Sequence, residues 1–373
     1  MKITSIRLHP VATRRRTRLL SQHVIVEMEG EGGVRGFGEM SDFGHLPLYV
    51  PNLPDLERVL SLLLADFDAE DLVGLGDLLL SAYPEGWHVY DMGAVIRCGV
   101  DIAAHDLVAR SRGISLVDLL GGKKRDRFPV CYPIFRARGA KDVPARLRDV
   151  ETALSLGFTN IRYYFGRDLD ADDLLLSAIR DRWGSTITIK SLDASNLFDS
   201  SIAIDAVNRL SRHGAQMLES PTDRFDVDGC AEVRRNIDLP VSEHVYHLPH
   251  ALRLIEKDAV DIFNICLTFA GGITPALKLL KLAELAKKRT LIGTTQELSI
   301  GTSAQAHLGA SVANLDYPGD AAGAQLYIDD VVVNRVKYEA GYLVTPDGPG
   351  LGMELDEGKL TSLTDRKWGF MRE

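Results

Sequence analysis

Three short apolar runs, each ending in an acidic residue, decide the fold of this chain: ITIKSLD (residues 187–193), QMLE (residues 216–219) and LPVSE (residues 239–243). Their last residues, Asp193, Glu219 and Glu243, are 26 and 24 residues apart, about the length of one strand plus one helix. In a repeating strand–helix unit, the C-terminal ends of the parallel strands converge on one face. We therefore expect the three carboxylates to lie close together.

Converging carboxylates predict a metal site. Buried ionised carboxylates need a partner, and a hard divalent cation is the simplest one for three of them. Ligands that are all oxygen favour Mg²⁺, with Mn²⁺ as the alternative. Each acid taken alone could instead cap the following helix, but three acids in phase favour the metal.

The same period extends over residues 126–330. The last inward-facing residues of successive predicted strands are 23 to 29 residues apart: Tyr164, Asp193, Glu219, Glu243, Cys266 and Thr294. This near-constant spacing predicts a parallel (β/α) barrel of the TIM type. An open doubly wound sheet is the alternative, but no glycine-rich phosphate loop follows a first strand.

The first 125 residues follow a different pattern, with strands first and helices after. Alternating apolar residues predict strands in residues 1–40, with a hairpin across Gly30–Gly33. Helical periodicity follows over residues 53–67, 72–82 and 92–111. Residues 1–125 are therefore predicted to form a small α+β domain. Residues 331–373 return to short strands and turns, which predicts a C-terminal segment that packs on this domain.

Composition excludes several classes of protein. The 373 residues are 45% hydrophobic and 25% charged, typical of a globular chain with a large core. A net charge of −9 without an extended basic tract argues against nucleic acid as a partner. The sequence has no apolar run of 18 residues, so we expect no membrane span. Four widely spaced cysteines without metal-ligand spacing are typical of reduced thiols in a cytoplasmic protein.

Characteristic motifs occur along nearly the whole chain: GGVRGFGEM (residues 32–40), GVDIAAHDLVARSRGISLVDLLGG (99–122), LDASN (192–196), LESP (218–221), LPVSEH (239–244), FAGGIT (269–274) and PGLGMELDE (349–357). In this order they resemble the enolase superfamily, in its mandelate racemase and muconate lactonizing branch. The stretch GTTQELSIGTSAQAHL (293–308) is most similar to the muconate-lactonizing and dipeptide-epimerase side of that branch.

The resemblance implies an α/β fold, a modified TIM barrel whose mouth is closed by an N-terminal α+β capping domain. It implies that Asp193, Glu219 and Glu243 bind Mg²⁺. It also implies a homo-oligomer that removes the proton α to the carboxylate of a small substrate, through an enediolate intermediate. The physical reason is that this carbon acid is very weak, so a dication must absorb the developing charge.

The acid–base positions depart from the family pattern. Many members carry Lys-x-Lys on the second barrel strand, where this chain has Arg162-Tyr163-Tyr164. Arg162 and Tyr164 are two residues apart on a strand, so they face the same way. A tyrosine has an ordinary pKa near 10, and a neighbouring guanidinium favours its phenolate. We hypothesise that Tyr164 is a catalytic acid or base assisted by Arg162; a tyrosine that only fills the barrel mouth is the alternative.

Two more residues are catalytic candidates. Cys266 stands where a family lysine would project from the sixth strand, and it is expected to face Tyr164 across the site. A thiol acts as an acid or base only if its pKa falls toward neutrality; most buried cysteines are simply small apolar residues. His244 follows Glu243 and carries a group that titrates near neutral pH. Lys190, by contrast, is expected to face outward by strand alternation.

Substrate-binding candidates come from the seventh strand and from the cap. Glu297, in GTTQELS, fits the acidic residue of the lactonizing pattern, with a structural salt bridge as the alternative. Arg16 belongs to the basic cluster within residues 14–18, and His45 lies in a second loop. The resemblance places both loops over the barrel mouth.

The sequence therefore predicts a Mg²⁺-dependent isomerase of the racemase, epimerase or cycloisomerase type. Loss of the lysine pair leaves a second function open, the dehydration of an acid sugar, because dehydration needs fewer acid–base groups than racemisation. A metal-binding barrel without catalysis is the third alternative.

Overall fold

The computed structural model describes residues 1–17, 19–43, 51–86 and 91–364. The N-terminal part forms an antiparallel sheet in the order β1-β2-β3, followed by helices. The elements are β1 (Ile3–Arg14), β2 (Leu20–Gly30), β3 (Arg35–Met40), α1 (Leu53–Leu64), α2 (Leu72–Ala82), α3 (Met92–Ser111) and α4 (Leu116–Leu119). Strands before helices make this part α+β, as the sequence predicts.

Two glycines of β3 allow α3 to lie directly against the sheet. A Cβ atom on Gly38 would lie 1.9 Å from the carbonyl oxygen of Gly99, and one on Gly36 would lie 2.4 Å from that of Ala103. The motifs GGVRGFGEM and GVDIAAHDL thus meet through backbone contact. Helix α3 is buried from Gly93 to Ala109, so it is a central helix and not an amphipathic surface helix.

The barrel follows as alternating strands and helices. Seven parallel strands pair in the order β11-β10-β9-β8-β7-β6-β5. The elements are β4 (Arg127–Pro129), β5 (Tyr132–Ile134), α5 (Val143–Ser155), β6 (Asn160–Tyr164), α6 (Leu169–Trp183), β7 (Thr188–Asp193), α7 (Ser200–Leu210), β8 (Met217–Glu219), α8 (Val227–Asn236), β9 (Val241–His244), α9 (Leu248–Glu256), β10 (Ile262–Ile265), α10 (Leu267–Ala270), α11 (Ile273–Leu285), β11 (Arg289–Ile292), α12 (Ser299–Ser311) and α13 (Gly323–Leu326).

Residues 316–320 form the eighth side of the barrel. On one edge, the amide of Asp320 donates to the carbonyl of Ile292 in β11. On the other edge, Gly319 exchanges hydrogen bonds with Pro129 and Cys131, next to β5. This segment therefore joins the last strand to the first. The predicted fold, a modified TIM barrel with an N-terminal α+β capping domain, is confirmed.

The C-terminal segment contacts both parts of the molecule. It contains β12 (Tyr338–Glu339), β13 (Tyr342–Val344) and α14 (Glu357–Thr364). Strand β13 pairs with β4, before the first barrel strand, whereas α14 packs against β1 of the cap. The division of the chain at residues 125 and 330 stays a prediction. Within the described residues, no helix combines the length and apolarity needed to cross a bilayer.

Asp106 of α3 connects three parts of the chain. Its buried carboxylate accepts from the amides of Phe37 in β3 (2.8 Å) and Leu351 in the C-terminal segment (2.6 Å), and from Nε of Arg110 (2.7 Å). One side chain thus links the cap sheet, its central helix and the C-terminal segment.

We expect Asp106→Ala to lower the free energy of unfolding by about 3 kcal/mol, because two buried amides lose their acceptor. Urea denaturation followed by circular dichroism measures this loss. Asp77→Ala, an exposed change on α2, is the control and is expected to stay within about 0.5 kcal/mol. Equal unfolding midpoints for the two variants would refute the role of Asp106.

Candidate active site

The three acids predicted from the sequence lie side by side at the C-terminal ends of their strands. Asp193 ends β7 and pairs with Glu219 at the end of β8, which pairs in turn with Ser242 of β9, next to Glu243. All three side chains are buried. The strand register therefore explains their convergence without any contribution from loops.

A single guanidinium lies among the carboxylates. Nη1 of Arg162 is 3.2 Å from Oε1 of Glu219 and 3.0 Å from Oδ2 of Asp320. Its Nε is 3.6 Å from Oδ2 of Asp193. Arg162 is itself buried, so these contacts replace the water that the charges lose on folding.

Lys190 faces the barrel interior, so the prediction that it points outward is wrong. Its Nζ is 2.7 Å from Oδ1 of Asp320 and 3.7 Å from Oε2 of Glu219. The reason is a register shift: Ile161 pairs with Ile189, but Arg162 pairs with Ser191. Lys190 is the extra residue of this bulge, which breaks the alternation of side chains. Burial alone would lower the pKa of Lys190, but the negative charges around it, that of Asp320 first, together outweigh burial and raise that pKa.

Glu243 has only neutral partners. Its carboxylate accepts from Oγ of Ser220 (2.7 Å), Nδ2 of Asn196 (3.2 Å) and the amide of His244 (2.8 Å). No basic side chain of the described residues forms an ion pair with it, and burial raises its pKa to about 8. Burial, followed by the charge of Glu219, raises the pKa of Asp193 to about 7.

The donor set fits a divalent cation in charge and in chemistry. The site holds four buried carboxylates, of Asp193, Glu219, Glu243 and Asp320. Among the described residues, two cations, those of Arg162 and Lys190, lie within ion-pair distance of three of them, and Glu243 is the exception. Full ionisation leaves a formal charge of −2 on oxygen donors, which hard cations prefer. Among the residues described, no three His, Cys, Asp or Glu side chains are already arranged as a metal cluster. The predicted ligand set stays a prediction.

Tyr164 and Arg162 face the same way, as their spacing predicts. Nη2 of Arg162 donates a short hydrogen bond to the hydroxyl oxygen of Tyr164. The Tyr164 ring stacks on Phe135 with centroids 5.4 Å apart, and the guanidinium of Arg136 lies 5.5 Å from its centroid. The hydroxyl group is therefore held beside the carboxylates by its own ring packing and by a cation.

A cavity of about 90 Å³ opens between these groups. It is lined by Arg162, Tyr164, Asp193, Ser195, Ser220, His244, Phe269, Thr294, Thr295 and Gln296. His244 is thus in the site: its Nε2 lies 3.6 Å from Oε1 of Glu219, and its ring meets the edge of Phe269. Burial lowers the pKa of His244 to about 4, so its ring is neutral at pH 7.

The position of Cys266 argues against its predicted catalytic role. This residue is fully buried at the start of α10 and is not among the residues that line the cavity. Burial raises the pKa of its thiol well above the ordinary value. A thiol that stays protonated behaves as a small apolar group.

Two of the predicted substrate-binding residues, Glu297 and Arg16, do not line this cavity. Glu297 is buried beneath the cavity and accepts hydrogen bonds from Thr295 and Gln305, so it supports the lining without contacting the space itself. Arg16 is exposed, and its Nε donates to the carbonyl of Gln325. His45 lies outside the described residues. In the basic cluster of residues 14–18, Arg15 is buried, and its guanidinium pairs with the carboxylate of Asp42 at 2.9 Å.

Several residues of the site were missed from the sequence. Asp320 lies in a segment without strand periodicity, so no pattern predicted its place in the barrel. The bulge at Lys190 reverses the side-chain alternation from which its orientation was predicted. Gln296 lies in a loop, where no periodic pattern indicates the direction of a side chain. The one available signal was the Asp316–Asp320 stretch, whose two acids follow the seventh predicted strand at about one barrel period.

We expect Lys190→Met to destabilise the fold by about 3 kcal/mol, because Asp320 and Glu219 lose a buried cation. Urea denaturation measures the loss, and exposed Lys281→Met is the control. In the double variant with Asp320→Asn, the combined loss is expected to be smaller than the sum of the single losses, by about 1 kcal/mol or more. Strict additivity would show that the pair does not interact.

Comparisons with known proteins agree with this architecture. Residues 145–359 match the family described as enolase C-terminal domain-like, and residues 2–121 match the mandelate racemase / muconate lactonizing enzyme N-terminal domain. N-succinyl-L-Arg/Lys racemase of Bacillus cereus is 24% identical over 98% of both chains. Muconate cycloisomerase 1 of Acinetobacter baylyi is 25% identical over 97% of this chain and 96% of its own.

Solved structures share the fold over nearly the full length. A muconate cycloisomerase from Pseudomonas fluorescens superposes with a TM-score of 0.86 at 23% identity, covering 97% of this chain and 98% of that one. A dipeptide epimerase from Enterococcus faecalis superposes with a TM-score of 0.83 at 24% identity, covering 95% and 100%. The names of these relatives are those of isomerases, in agreement with the enzyme class predicted above. The chain belongs to the mandelate racemase and muconate lactonizing branch of the enolase superfamily.

Proposed function

We propose that this protein is a Mg²⁺-dependent enzyme that removes the proton α to the carboxylate of a small substrate, with an isomerase outcome. One observation carries the proposal: Tyr164, held by Arg162, lies beside a group of buried carboxylates that outnumber the cations in contact with them. The relatives carry the names of isomerases, which supports isomerisation as the outcome of the reaction. The proposal also includes a cytoplasmic location and assembly into a homo-oligomer.

Asp193, Glu219 and Glu243 would hold the metal. When bound, Mg²⁺ supplies a positive charge that stabilises negative charge on the substrate carboxylate. Ser195 donates a hydrogen bond to the carboxylate of Asp193, and Ser220 and Asn196 donate to that of Glu243. Such partners fix the orientation of ligands before binding.

Tyr164 is the acid–base group on one face of the cavity. The guanidinium of Arg162 donates to its hydroxyl oxygen, which favours the phenolate and so a base able to take the α proton. Return of that proton to a different carbon on the same face completes an isomerisation; a racemisation or epimerisation requires a second acid on the other face. Arg162 cannot itself act as a base, because a guanidinium keeps its protons at any working pH.

A second function, dehydration of an acid sugar, is favoured by one observation. The segment after β10, where the family pattern has a lysine, offers Cys266 with a raised pKa and the apolar Phe269. Elimination of a β-hydroxyl can proceed with acid–base groups on one face, whereas racemisation needs both. A third candidate, a metal-binding barrel without catalysis, predicts ligand binding with no turnover.

We expect a screen of the Mg²⁺-loaded protein in D₂O, against acid sugars, N-acyl amino acids, dipeptides and muconate-like diacids, to yield a product detectable by NMR. Deuterium at the α carbon without loss of water identifies the isomerase, and release of a 2-keto acid identifies the dehydratase. Tyr164→Phe is expected to lower kcat about 100-fold or more, because the proton acceptor is lost. Tyr342→Phe, an exposed change in β13, is the control. Unchanged turnover in Tyr164→Phe would exclude Tyr164 as the base.

We expect one Mg²⁺ per chain by isothermal titration calorimetry, and loss of turnover on chelation with EDTA. Glu243→Gln preserves the shape of the side chain but removes a charge, so the affinity for Mg²⁺ is expected to fall about 10-fold or more. Glu284→Gln, an exposed change on α11, is the control. Equal binding by Glu243→Gln and the unchanged protein would remove Glu243 from the ligand set.

A further inference from the structure

A fully buried histidine of the cap, His23 in β2, lies between two hydrogen-bond partners. Its Nδ1 is 2.9 Å from Oε1 of Glu39, and its Nε2 is 3.1 Å from the hydroxyl oxygen of Tyr327. Glu39 belongs to β3 of the cap, whereas Tyr327 follows α13 of the barrel part. His23 therefore connects the cap sheet to the barrel.

Glu39 binds the first turn of α12. Its Oε1 accepts from the amide of Leu298 and its Oε2 from the amide of Gly301, both at 2.8 Å. Both carboxylate oxygens are thus acceptors at a helix N-terminus, where negative charge is favoured. A carboxylate in this state cannot donate to His23, so Nδ1 of His23 donates to it.

Tyr327 determines the proton on the other nitrogen. Its hydroxyl oxygen lies 2.6 Å from the carbonyl oxygen of Gln296, and a carbonyl only accepts, so the one hydroxyl proton is donated there. Nε2 of His23 must then donate to the hydroxyl oxygen. Because both ring nitrogens donate, His23 is an imidazolium ion.

The charged groups around His23 favour this ion. Burial lowers the pKa of His23, but the hydrogen bond and charge of Glu39, together with the charge of Asp42, outweigh burial and the repulsion of Arg15, so that pKa is raised. Arg15 itself pairs with Asp42 at 2.9 Å. On the side of α12, Asp330 is the charged neighbour of Glu39.

The two partners of His23 hold the two ends of one short segment of the cavity wall. Tyr327 binds the carbonyl of Gln296, and Glu39 binds the amide of Leu298, two residues later. Gln296 lines the cavity and has a φ of +70°, in the left-handed region that non-glycine residues rarely adopt. Such strain persists only where the surrounding contacts impose it.

The cap also holds the backbone on either side of Tyr327. The amide of Ile328 donates to the carbonyl of Arg14 at 2.9 Å, and the amide of Arg16 donates to the carbonyl of Leu326 at 2.7 Å. Tyr327 is therefore fixed at the contact between cap and barrel, and its hydroxyl reaches the cavity wall from there.

We propose that His23 is a positioning residue: as an imidazolium ion it donates to Tyr327 and Glu39, and it thereby holds residues 296–298 of the cavity wall in their strained form. His23 does not itself line the cavity, so the cap sheet sets the shape of the wall without touching the substrate. This role rests on the proposed function, because it assumes that the cavity is the active site.

The protonation of His23 is tested by NMR on the full chain with ¹⁵N-labelled histidine, at about pH 7.5, where an ordinary histidine is mainly neutral. We expect the signals of a ring with both nitrogens protonated, assigned to His23 by their loss in His23→Gln. A neutral His23 ring at this pH would overturn the proposal.

Hydrogen–deuterium exchange of the peptide that covers residues 293–301, read by mass spectrometry, tests the hold on the wall. Tyr327→Phe keeps the ring and removes the hydroxyl, so we expect this peptide to exchange about 3- to 10-fold faster, the effect of one lost hydrogen bond. Tyr338→Phe is the matched control, because Tyr338 also donates to a backbone carbonyl, that of Ala321 at 2.7 Å, outside the cavity wall. Equal exchange in the two variants would overturn the proposal, and this comparison remains valid if His23→Gln does not fold.

The pH dependence is a readout that a purely structural contact would not change. Since folding raises the pKa of His23, its contribution is complete below the ordinary pKa of 6.5 and is lost as pH rises through the raised value. After correction for the intrinsic rate, we expect exchange of residues 293–301 to accelerate between about pH 6 and about pH 9 in the unchanged protein and to be independent of pH in His23→Gln. A flat profile in both proteins would contradict the role of His23.

Failure of this role is distinguishable from failure of the proposed function. The NMR and exchange measurements need no substrate, so a wall held by His23 without turnover of any ligand would refute the enzyme and retain the hold. With a substrate that is turned over, Tyr327→Phe is expected to lower kcat about 10-fold relative to Tyr338→Phe, because the wall is displaced. Equal kcat in the two variants would overturn the positioning role and leave the enzyme in place.

Discussion

The site depends on two buried cations that are shared by three of its four buried carboxylates. Arg162 contacts Asp193, Glu219 and Asp320, and Lys190 contacts the last two. Charges removed from water are tolerated only when each finds a partner at short range. The network therefore favours the ionised form of the acids that it contacts, and among the described residues Glu243 has no ionic partner. The resulting excess of negative charge is the physical basis for expecting a divalent cation at the C-terminal ends of β7, β8 and β9.

This network gives a structural reason for the arginine and tyrosine that stand at residues 162 and 164, where the family pattern has lysines. The guanidinium of Arg162 has several donors in a fixed fork, so it can contact Tyr164 and three carboxylates at once. A lysine at the same place would present a single ammonium group. The chain thus exchanges a titratable amine for a permanent cation and moves the titratable function to a phenol. The acid–base chemistry is redistributed between two side chains on one strand.

Much of the fold could be predicted from the sequence, because strands and helices of a barrel repeat at a period that apolar residues record. Helices 72–82 and 92–111 have the predicted bounds, and the acids of β7, β8 and β9 are adjacent as expected. The site was less predictable. Lys190 faces inward because one extra residue shifts the register, and a bulge of that kind leaves no periodic signal. Asp320 and Gln296 lie in irregular segments, where tertiary hydrogen bonds and not local pattern decide the conformation.

The closing segment of the barrel has a consequence for how the molecule assembles. Asp320 lies on the stretch that bridges β11 to Pro129 and Cys131 beside β5, and it is also the shared partner of Arg162 and Lys190. The segment that closes the barrel therefore also supplies the carboxylate that balances Arg162 and Lys190. A nascent or truncated chain that ends before this stretch would carry two interior cations short of an acid, and so could form neither a sealed barrel nor a working site. The fold thereby couples closure of the barrel to the appearance of its chemistry.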